Sequence, residues 1–278
     1  MHNSQFGIPE IFDNQDTGKL ATLYNDIKFV LKVPIVNFVF RTLAHYDQFL
    51  TLGWNQVRTN LLTQNMEDAA AQLRYPHLSF NAPQIKWNQF YPKETIDRIK
   101  GVLLVFNYVN PKLLLMTISW EEALGYRPIT GGKKIEGFIQ AGIFPGFPKP
   151  HMIDIPSADY STKVVLKDII DTKNSYDAAS DYRALACFPG FLEKTWPSLK
   201  EVIKTEEYTL LGHELKENAR KLVHELSPYP IRLTSEYLQT VYSPGEVAGI
   251  MGIISMFSNF IANLIIDGEC FRRIVMDI

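Results

Sequence analysis

Cysteine is scarce in this sequence: Cys187 and Cys270 are the two cysteines among 278 residues. They form neither a CxxC pair nor a disulfide framework, so a reducing compartment is the simplest interpretation. The first residues also lack a positively charged stretch followed by an apolar run, which argues against a signal peptide. We therefore expect a cytoplasmic protein.

An excess of positive charge is also missing. The chain has 28 Lys and Arg residues against 30 Asp and Glu residues, which gives a formal net charge of −2. Neither nucleic acid nor an anionic membrane surface is therefore an expected partner. The hydrophobic share of 46% and the charged share of 21% are typical of a soluble globular protein.

The common catalytic and metal-binding motifs are absent as well. The sequence contains no GxSxG or HExxH, and the GGKK run at Gly131 lacks the earlier glycine that a phosphate-binding loop requires. Its six histidines do not have the spacing of metal ligands. We therefore interpret each histidine as a surface or structural residue and predict no metal site.

What the sequence does contain is an internal repeat. A shift of 142 residues aligns positions 37–54 with positions 179–196, and six of these 18 pairs are identical, where chance would give about one. Shorter matches at shifts of 150 and 151 residues extend the pattern. The repeat predicts two similar halves, residues 19–124 and 157–278, packed as a pseudo-dimer within one chain.

The hydrophobic spacing of both halves is helical, which predicts an all-α fold. We expect single helices over about 38–54 and 56–74, and two strongly apolar helices over 102–116 and 247–266 at the centre of a bundle. Asn259 and Asn263 form a polar stripe on the last helix, which favours a core helix facing a polar cavity over a membrane span. Residues 1–18 are predicted to be a loosely held tail, and the glycine- and proline-rich residues 125–156 a linker.

Asp181 is the first candidate for chemistry. It is aligned with Val39 in the repeat, so the fold itself does not require a carboxylate at that position. An acid in the first turn of a helix often stabilises the helix dipole, which is the structural alternative. If the halves pack symmetrically, Asp181 faces an apolar interior, and burial would raise its pKa and make it a better base.

Asn110 and the pair Thr63 and Glu67 each allow two interpretations. Asn110 precedes Pro111, so it is either the N-cap of a helix restarted at proline or an amide that holds water within an apolar segment. Thr63 and Glu67 have an i, i+4 spacing and share a helix face. They are either an exposed pair or part of a site.

Four segments carry a resemblance to a known family: KVPIVNFVFRTLA, the Thr63 and Glu67 pair, FNYVNPK and ASDYRALA. Together they resemble the group I 2-haloacid dehalogenases, over nearly the whole chain from about residue 18. The resemblance implies an all-helical fold of two repeats. It also implies direct hydrolysis of a small 2-halo acid without metal or organic cofactor, and it leaves a homodimer open.

The same resemblance implies roles for individual residues. Asp181 would be the general base for a water that Asn110 also holds, and Thr63 and Glu67 match positions implicated in activity. The implied substrate-binding positions are Ile35, Phe38, Ala179, Ser180, Phe260 and Leu264. Ile35 stands where family members can have tryptophan and Leu113 where a tyrosine can stand, which affects the expected substrate more than the reaction.

Two alternatives belong to other classes of protein. Helical halves of this kind also resemble the carboxymuconolactone decarboxylase and alkylhydroperoxidase-like fold, although the CxxC pair of its peroxidase members is missing here. A helical protein that binds a small acid without catalysis is the other. For a dehalogenase, the resemblance implies that the small residue Ala179, two before Asp181, admits both enantiomers of the substrate.

Overall fold

The structure is a computed structural model, and it describes residues 9–13 and 18–276. In chain order the α-helices of this part are α1 (Lys19–Leu31), α2 (Phe38–Leu43), α3 (Asp47–Leu61), α4 (Gln64–Leu73), α5 (Lys93–Leu124), α6 (Tyr160–Thr172), α7 (Ser180–Leu185), α8 (Phe191–Ile203), α9 (Glu206–Leu226), α10 (Ser235–Gln239) and α11 (Pro244–Val275). Within the described ranges, β pairing is limited to two isolated bridges, Thr63 with Phe138 and Ile129 with Ile231. The predicted all-α fold class is confirmed.

Helices α5 and α11 form the centre of the molecule. Each is 32 residues long, and they pack against each other more extensively than any other pair of helices. By length and composition both could cross a membrane, but 83% of the most apolar window of α5 and 50% of that of α11 are buried within the fold. Core helices of soluble proteins pass the same length test, so the burial is explained by helix packing alone.

The two central helices approach closely at Asn107 and Gly268. A Cβ atom placed on Gly268 would collide with the side-chain oxygen of Asn107, so a residue larger than glycine would require the Asn107 side chain to move. Asn107 lies one turn before Asn110 on α5. The contact between Asn107 and Gly268 therefore lies near the middle of both the α5 helix and the molecular core.

The polar stripe of α11 lies closer to solvent than the sequence indicates. Asn259 is exposed and accepts a hydrogen bond of 2.8 Å from Lys216 Nζ of α9. Asn259 and Asn263 line an open surface groove beside α9 rather than an interior cavity. The stripe thus faces a polar groove, as predicted, and the groove is open to solvent because α9 leaves this face of α11 partly uncovered.

Both of the long helices predicted in the first half are interrupted. Residues 38–54 form α2, a 3-10 turn at Ala44–Tyr46 and the first part of α3, and residues 56–74 divide between α3 and α4. Thr63 is the N-cap of α4: its hydroxyl donates to Asn60 O at 2.6 Å and accepts from Met66 N. A threonine hydroxyl that bonds to nearby backbone competes with a continuous helix, which explains the break.

The two halves contain matching hydrogen bonds. Trp54 Nε1 donates to Asp26 Oδ2 at 2.7 Å, and Trp196 Nε1 donates to Asp168 Oδ2 at 2.7 Å. Each aspartate also binds a basic side chain, Arg58 in the first half and Lys200 in the second. All three pairs of positions are related by the same shift of 142 residues.

The described part of the predicted tail, residues 9–13, is bound to the rest of the protein by ion pairs and a backbone hydrogen bond. Glu10 forms ion pairs with Arg41 at 2.5 Å and with Arg183 at 3.1 Å, and Ile11 N donates to Arg41 O. Residues 9–13 therefore depart from the predicted loosely held tail, since two buried guanidinium groups require a counter-charge. The predicted tail's residues 1–8 and 14–17 lie outside the described residues.

The predicted linker, residues 125–156, contains no α-helix and packs across the first half. Gln64 N donates to Gly137 O and Ile139 N donates to Leu62 O, both at 2.8 Å. Gly131 has a φ of 69° and lies so close to the backbone of Pro230 that a Cβ atom would collide with it. Residues 125–156 thus pack closely over the junction of α3 and α4.

Candidate active site

A small cavity lies between the first turns of α2 and α7 and the middle parts of α5 and α11. Its volume is about 20 Å³, which is enough for a water molecule. Twelve residues line it: Asn37, Phe38, Val39, Asn110, Leu113, Ala179, Ser180, Asp181, Phe257, Phe260, Ile261 and Leu264. The lining is apolar except for two amides, one hydroxyl and one carboxylate.

Asp181 supplies the carboxylate. It lies in the first turn of α7, only 8% of its surface is exposed, and Asn110 Nδ2 donates a hydrogen bond of 2.8 Å to its Oδ2. Asp181 and Asn110 therefore meet at the cavity, with one amide proton directed at one carboxylate oxygen. The geometry leaves further acceptor positions on the carboxylate for a water molecule.

Asn110 reaches Asp181 from the middle of an unbroken helix. Pro111 lies inside α5, so the alternative in which Asn110 caps a restarted helix is wrong. Packing of α5 against α11 over its full length outweighs the cost of one proline, which is about 3 kcal/mol in a helix interior. Because Pro111 has no N–H group, it cannot donate to the carbonyl of Asn107 in the preceding turn.

Burial controls the acid strength of Asp181. It raises the pKa of this carboxyl to about 7, while the hydrogen bond from Asn110 favours the charged form and opposes the rise. Asp267 raises the pKa further through charge repulsion, and Lys173 lowers it. A carboxyl with a pKa near neutrality is suited to accept a proton from water at physiological pH.

A buried polar network lies behind α7. Lys173 Nζ contacts Asp267 Oδ2 at 2.5 Å, and the hydroxyls of Tyr182 and Tyr208 both donate to the Asp267 carboxylate at 2.8 Å. Tyr182 follows Asp181 directly in the chain. The network thus anchors the turn of α7 that carries Asp181 and neutralises a second buried carboxylate.

Ser180 is held from the opposite half of the chain. Arg41 Nη2 of α2 donates to Ser180 Oγ at 3.0 Å, and Arg41 is itself buried against Glu10. Glu10 also binds Arg183, which occupies in α7 the place of Arg41 in α2. Through these contacts the segment before α1 ties the two short helices of the site together.

Most of the predicted substrate-binding residues lie at the cavity. Phe38, Ala179, Ser180, Phe260 and Leu264 all belong to its lining, and so does Leu113. Ile35 does not: it is buried in the hydrophobic core outside the lining. The prediction for Ile35 is therefore not met in this structure, because the chain turns between Ile35 and the start of α2 and directs Ile35 into the core.

Thr63 and Glu67 lie away from the cavity. Glu67 forms an ion pair of 2.6 Å with Lys112 of α5, whose side chain is 2% exposed, and accepts a hydrogen bond from Tyr108. Although burial alone would raise it, the Lys112 ammonium holds the pKa of Glu67 below its usual value. Burial lowers the pKa of Lys112 to about 8, and Glu67 opposes this. Neither Thr63 nor Glu67 is brought together with Asp181.

Several residues of the site were not found by sequence reasoning. Val39, Phe257 and Ile261 line the cavity, but apolar residues in apolar helices give no local signal. Asp267 and Lys173 are 94 residues apart, and only the fold pairs them. Asn37 was recognisable as the counterpart of Ala179 in the repeat, although the sequence did not show that it reaches the cavity.

Metal ligation has no candidate in the described part of the chain. Within residues 9–13 and 18–276, no three His, Cys, Asp or Glu side chains are grouped so that they could hold a metal ion. The fold and the site thus define an all-helical protein with a buried carboxylate and amide facing a water-sized cavity. This arrangement can hold a water molecule against a general base.

Comparison with known proteins points to one family. The family model described as "Halocarboxylic acid dehydrogenase DehI" matches residues 34–182. A relative from Alcaligenes xylosoxydans xylosoxydans, named "2-haloacid dehalogenase, configuration-inverting", is 32% identical over 93% of this chain and 90% of its own. A relative of the same name from Pseudomonas sp. (strain 113) is 30% identical over 92% and 87%. An "(R)-2-haloacid dehalogenase" from Pseudomonas putida is 25% identical over 96% and 91%.

Solved structures share the fold. The complex of a D-2-haloacid dehalogenase with L-LA covers 98% of this chain with a TM-score of 0.89 at 24% identity, and 97% of that chain is covered. The crystal structure of a mutant D-2-haloacid dehalogenase has a TM-score of 0.88, also at 24% identity and the same coverage. The chain belongs to the 2-haloacid dehalogenase family that the matched family model and these sequence relatives represent.

Proposed function

We propose that this protein hydrolyses short-chain 2-haloalkanoic acids to 2-hydroxy acids, with inversion of configuration at C2. The observation that carries the proposal is the buried Asp181 carboxylate, which accepts a 2.8 Å hydrogen bond from Asn110 at a cavity large enough for a water molecule. The relatives named as configuration-inverting 2-haloacid dehalogenases support the same reaction. Family membership favours it over the alkylhydroperoxidase-like alternative.

The reaction is a direct displacement. Asp181 takes a proton from the water as the water oxygen forms a bond to C2, and the carbon–halogen bond breaks with its electron pair leaving as halide. The products are the 2-hydroxy acid, a halide ion and protonated Asp181, which then releases its proton to solvent. Attack from the side opposite the halide inverts C2, and no ester with the enzyme forms.

Asp181 is the proposed general base, and Asn110 holds its carboxylate in a fixed orientation. The amide of Asn110 holds the carboxylate at a fixed angle, so the water that Asp181 binds is positioned before substrate arrives. A pKa of about 7 keeps much of Asp181 ionised at neutral pH, while leaving it more basic than a solvated carboxylate. Asp181 and Asn110 together thus supply an oriented base that is more basic than a solvated carboxylate.

Thr63 and Glu67 act through the helices rather than at the reacting carbon. Glu67 neutralises Lys112, two residues after Asn110 on α5, and Thr63 caps the helix that carries Glu67. Removing either group would disturb α5 where it presents Asn110. We assign them a supporting role in the proposed reaction.

Substrate enters past Phe260. Eleven of the twelve lining residues are buried, whereas Phe260 is partly exposed, so it stands at the mouth of the cavity. Because a volume of about 20 Å³ holds water but not an organic acid, side chains must move for substrate to bind. Phe260 packs edge-on against Phe257. Because Phe260 is the partly exposed residue of the lining, its side chain is the one most able to move.

Both enantiomers are proposed as substrates. Relatives named for the (R) enantiomer favour hydrolysis of the D form. Ala179 lines the cavity with a single methyl group, and this leaves room for the L form to exchange the directions of its hydrogen and alkyl group. The small side chain of Ala179 supports assignment to the group I enzymes, which act on both forms, whereas the relatives named for the (R) enantiomer support a D-specific enzyme.

The two halves are proposed to be a tandem repeat packed as a pseudo-dimer. Support comes from the matching tryptophan–aspartate hydrogen bonds, the equal lengths of α1 and α6, and the equal lengths of α5 and α11. The cytoplasmic location and the homodimer stay predictions.

Halide release tests the proposed function. Purified protein is incubated with 2-chloropropionate, and chloride and lactate are measured together with the chirality of the lactate. We expect equal amounts of chloride and inverted lactate from the wild type, and a loss of at least about 1,000-fold for Asp181→Asn. Asp177→Asn is the matched control, because Asp177 is a buried acid four residues earlier that does not line the cavity.

An isotope experiment separates direct hydrolysis from an ester mechanism. With enzyme in excess over substrate in H₂¹⁸O, direct attack by water puts ¹⁸O into lactate in the first turnover. An Asp181 ester would transfer an unlabelled carboxylate oxygen instead. Unlabelled lactate from the first turnover would therefore rule out the proposed mechanism, and absence of chloride from the wild type would rule out the activity.

A further inference from the structure

Asn37 is a polar residue of the cavity whose side chain forms no hydrogen bond that stabilises the described part of the fold. It lines the cavity, is only 3% exposed, and its side-chain oxygen is buried without a hydrogen-bond partner among the described residues. It is also the N-cap residue of α2, yet its side chain makes no capping bond. A buried amide without a partner destabilises a protein, so its presence here requires another explanation.

The position of Asn37 is matched by Ala179 in the other half. Each residue immediately precedes a six-residue helix of the site, α2 or α7, and the shift of 142 residues pairs them. Ala179 shows that the backbone forms this helix start without an amide. The side chain of Asn37 is therefore not needed to begin a helix. Both residues line the cavity, and what distinguishes Asn37 from Ala179 is that it places an amide there.

The other polar groups of the lining are already engaged. Asn110 donates to Asp181, and the Asp181 carboxylate carries the same charge as a carboxylate substrate and would repel it. Ser180 Oγ accepts a hydrogen bond from the buried Arg41, which leaves the Ser180 O–H group free to donate. Asn110 keeps a second amide hydrogen, but it stands beside the charge of Asp181, so Asn37 and Ser180 are the lining side chains best placed to offer hydrogens to an anion.

We propose that the side-chain amide of Asn37 binds the carboxylate of the 2-halo acid, together with the Ser180 hydroxyl. The NH₂ group of the Asn37 side chain supplies the donors, and rotation about the Cβ–Cγ bond can direct them at the bound anion. Arg41 strengthens the site by polarising Ser180. This assignment rests on the proposed function and adds a specificity residue to it.

The experiment compares a carboxylate substrate with a neutral one. KM and kcat are measured for 2-chloropropionate with wild type, Asn37→Ala, Asn37→Ser and Asn37→Asp. Dissociation constants for 2-chloropropionate and 2-chloropropionamide are measured by calorimetry on the same variants in an Asp181→Asn background. Asn107→Ala is the matched control, since Asn107 is a buried asparagine with an unpartnered amide nitrogen that lies outside the cavity.

We expect Asn37→Ala to raise KM and the dissociation constant for 2-chloropropionate by about 10- to 100-fold, as for a lost hydrogen bond to a charged group, with little change in kcat. Asn37→Asp should bind more weakly still, because two carboxylates repel. Binding of the neutral amide should be unchanged by Asn37→Ala, and Asn107→Ala should bind 2-chloropropionate like the wild type.

Equal dissociation constants for wild type, Asn37→Ala and Asn37→Ser would overturn the assignment, as would an equal loss for the acid and the neutral amide. The Asn37→Ser variant keeps a good N-cap residue and covers the case in which Asn37→Ala does not fold. Failure of the proposed function shows separately, as absence of chloride release from the wild type. The binding measurements in the Asp181→Asn background do not depend on turnover.

Discussion

The amide of Asn110 donates a 2.8 Å hydrogen bond to the carboxylate of Asp181, although 71 residues separate them in the chain. One residue lies in the middle of a 32-residue central helix and the other in the first turn of a six-residue helix. The proposed reaction depends on this contact, because it holds the general base in place within an apolar cavity. The predictions below begin from it.

The rate should rise with pH in a single step near pH 7. Burial raises the pKa of Asp181 to about 7, so below that pH the carboxyl carries a proton and cannot accept another from water. We expect kcat/KM for 2-chloropropionate to fall about tenfold per pH unit well below the midpoint and to level off above it. A pH-rate profile that is flat between pH 5 and 8 would contradict the role of Asp181.

Asn110→Ala should move that midpoint to higher pH. The Asn110 hydrogen bond stabilises the charged form of Asp181, so its loss should raise the pKa of the carboxyl and shift the profile up by about one pH unit. The rate on the plateau should also fall, since the base is no longer oriented. A midpoint unchanged from that of the wild type would show that the hydrogen bond does not act on the base.

Asp181→Asn should stabilise the fold, and more so at pH 8 than at pH 5. In the unfolded chain an aspartate ionises near pH 3.9, whereas in the folded protein it ionises near pH 7. The wild type therefore loses stability as pH rises between these values, because a charge must be buried, and an amide avoids this. Urea unfolding should show a difference of roughly 2 to 4 kcal/mol at pH 8 that shrinks as pH falls.

Glu67→Gln should act through stability. It leaves the buried ammonium of Lys112 without a counter-charge, which typically costs about 3 to 5 kcal/mol. Combining Glu67→Gln with Lys112→Met should restore much of the free energy of unfolding, and the refolded double variant should release chloride with a kcat near that of the wild type. A stable double variant without activity would show that Glu67 takes part in the reaction.

Ala179→Asn should restrict the enzyme to one enantiomer. The wild type is expected to release chloride from both pure enantiomers of 2-chloropropionate, while the larger amide at residue 179 should lower kcat/KM for the L form by at least about tenfold. Ala179→Ser is the control, because serine is close to alanine in size, and this variant should retain activity on both enantiomers. Release from only one enantiomer by the wild type would contradict the proposed breadth.

Part of this architecture could be predicted from the sequence. The apolar helices over 102–116 and 247–266 lie within α5 and α11, because a helix that is apolar on every side must be removed from water, here by packing at the centre of the fold. The breaks at Ala44–Tyr46 and at Thr63 could not be predicted in this way. Hydrophobic spacing continues through both. At Thr63 a side-chain hydroxyl that bonds to the backbone interrupts the helix, and at Ala44–Tyr46 the backbone forms a 3-10 turn without a side-chain capping bond.

The candidate site could also be predicted from the sequence only in part. Asp181 stood out in the sequence because a carboxylate replaces a valine within an otherwise apolar repeat, and that signal is local. Thr63 and Glu67 share a spacing with many surface pairs, and the spacing does not reveal that Glu67 turns toward Lys112 instead of the cavity. Ile35 is buried in the hydrophobic core outside the cavity lining, and its position there depends on how the chain turns before α2.

By itself the sequence determined that the protein is helical and equipped with one unusual carboxylate, since these properties follow from periodicity and from residue type, and the tandem repeat stays a prediction. Tertiary structure alone decided which amide meets Asp181, that Asn37 lines the cavity without a partner, and that Asp267 is neutralised by Lys173. Each of these depends on helices far apart in the chain packing at a particular height and rotation. Burial, which sets the pKa of Asp181, arises only from that packing.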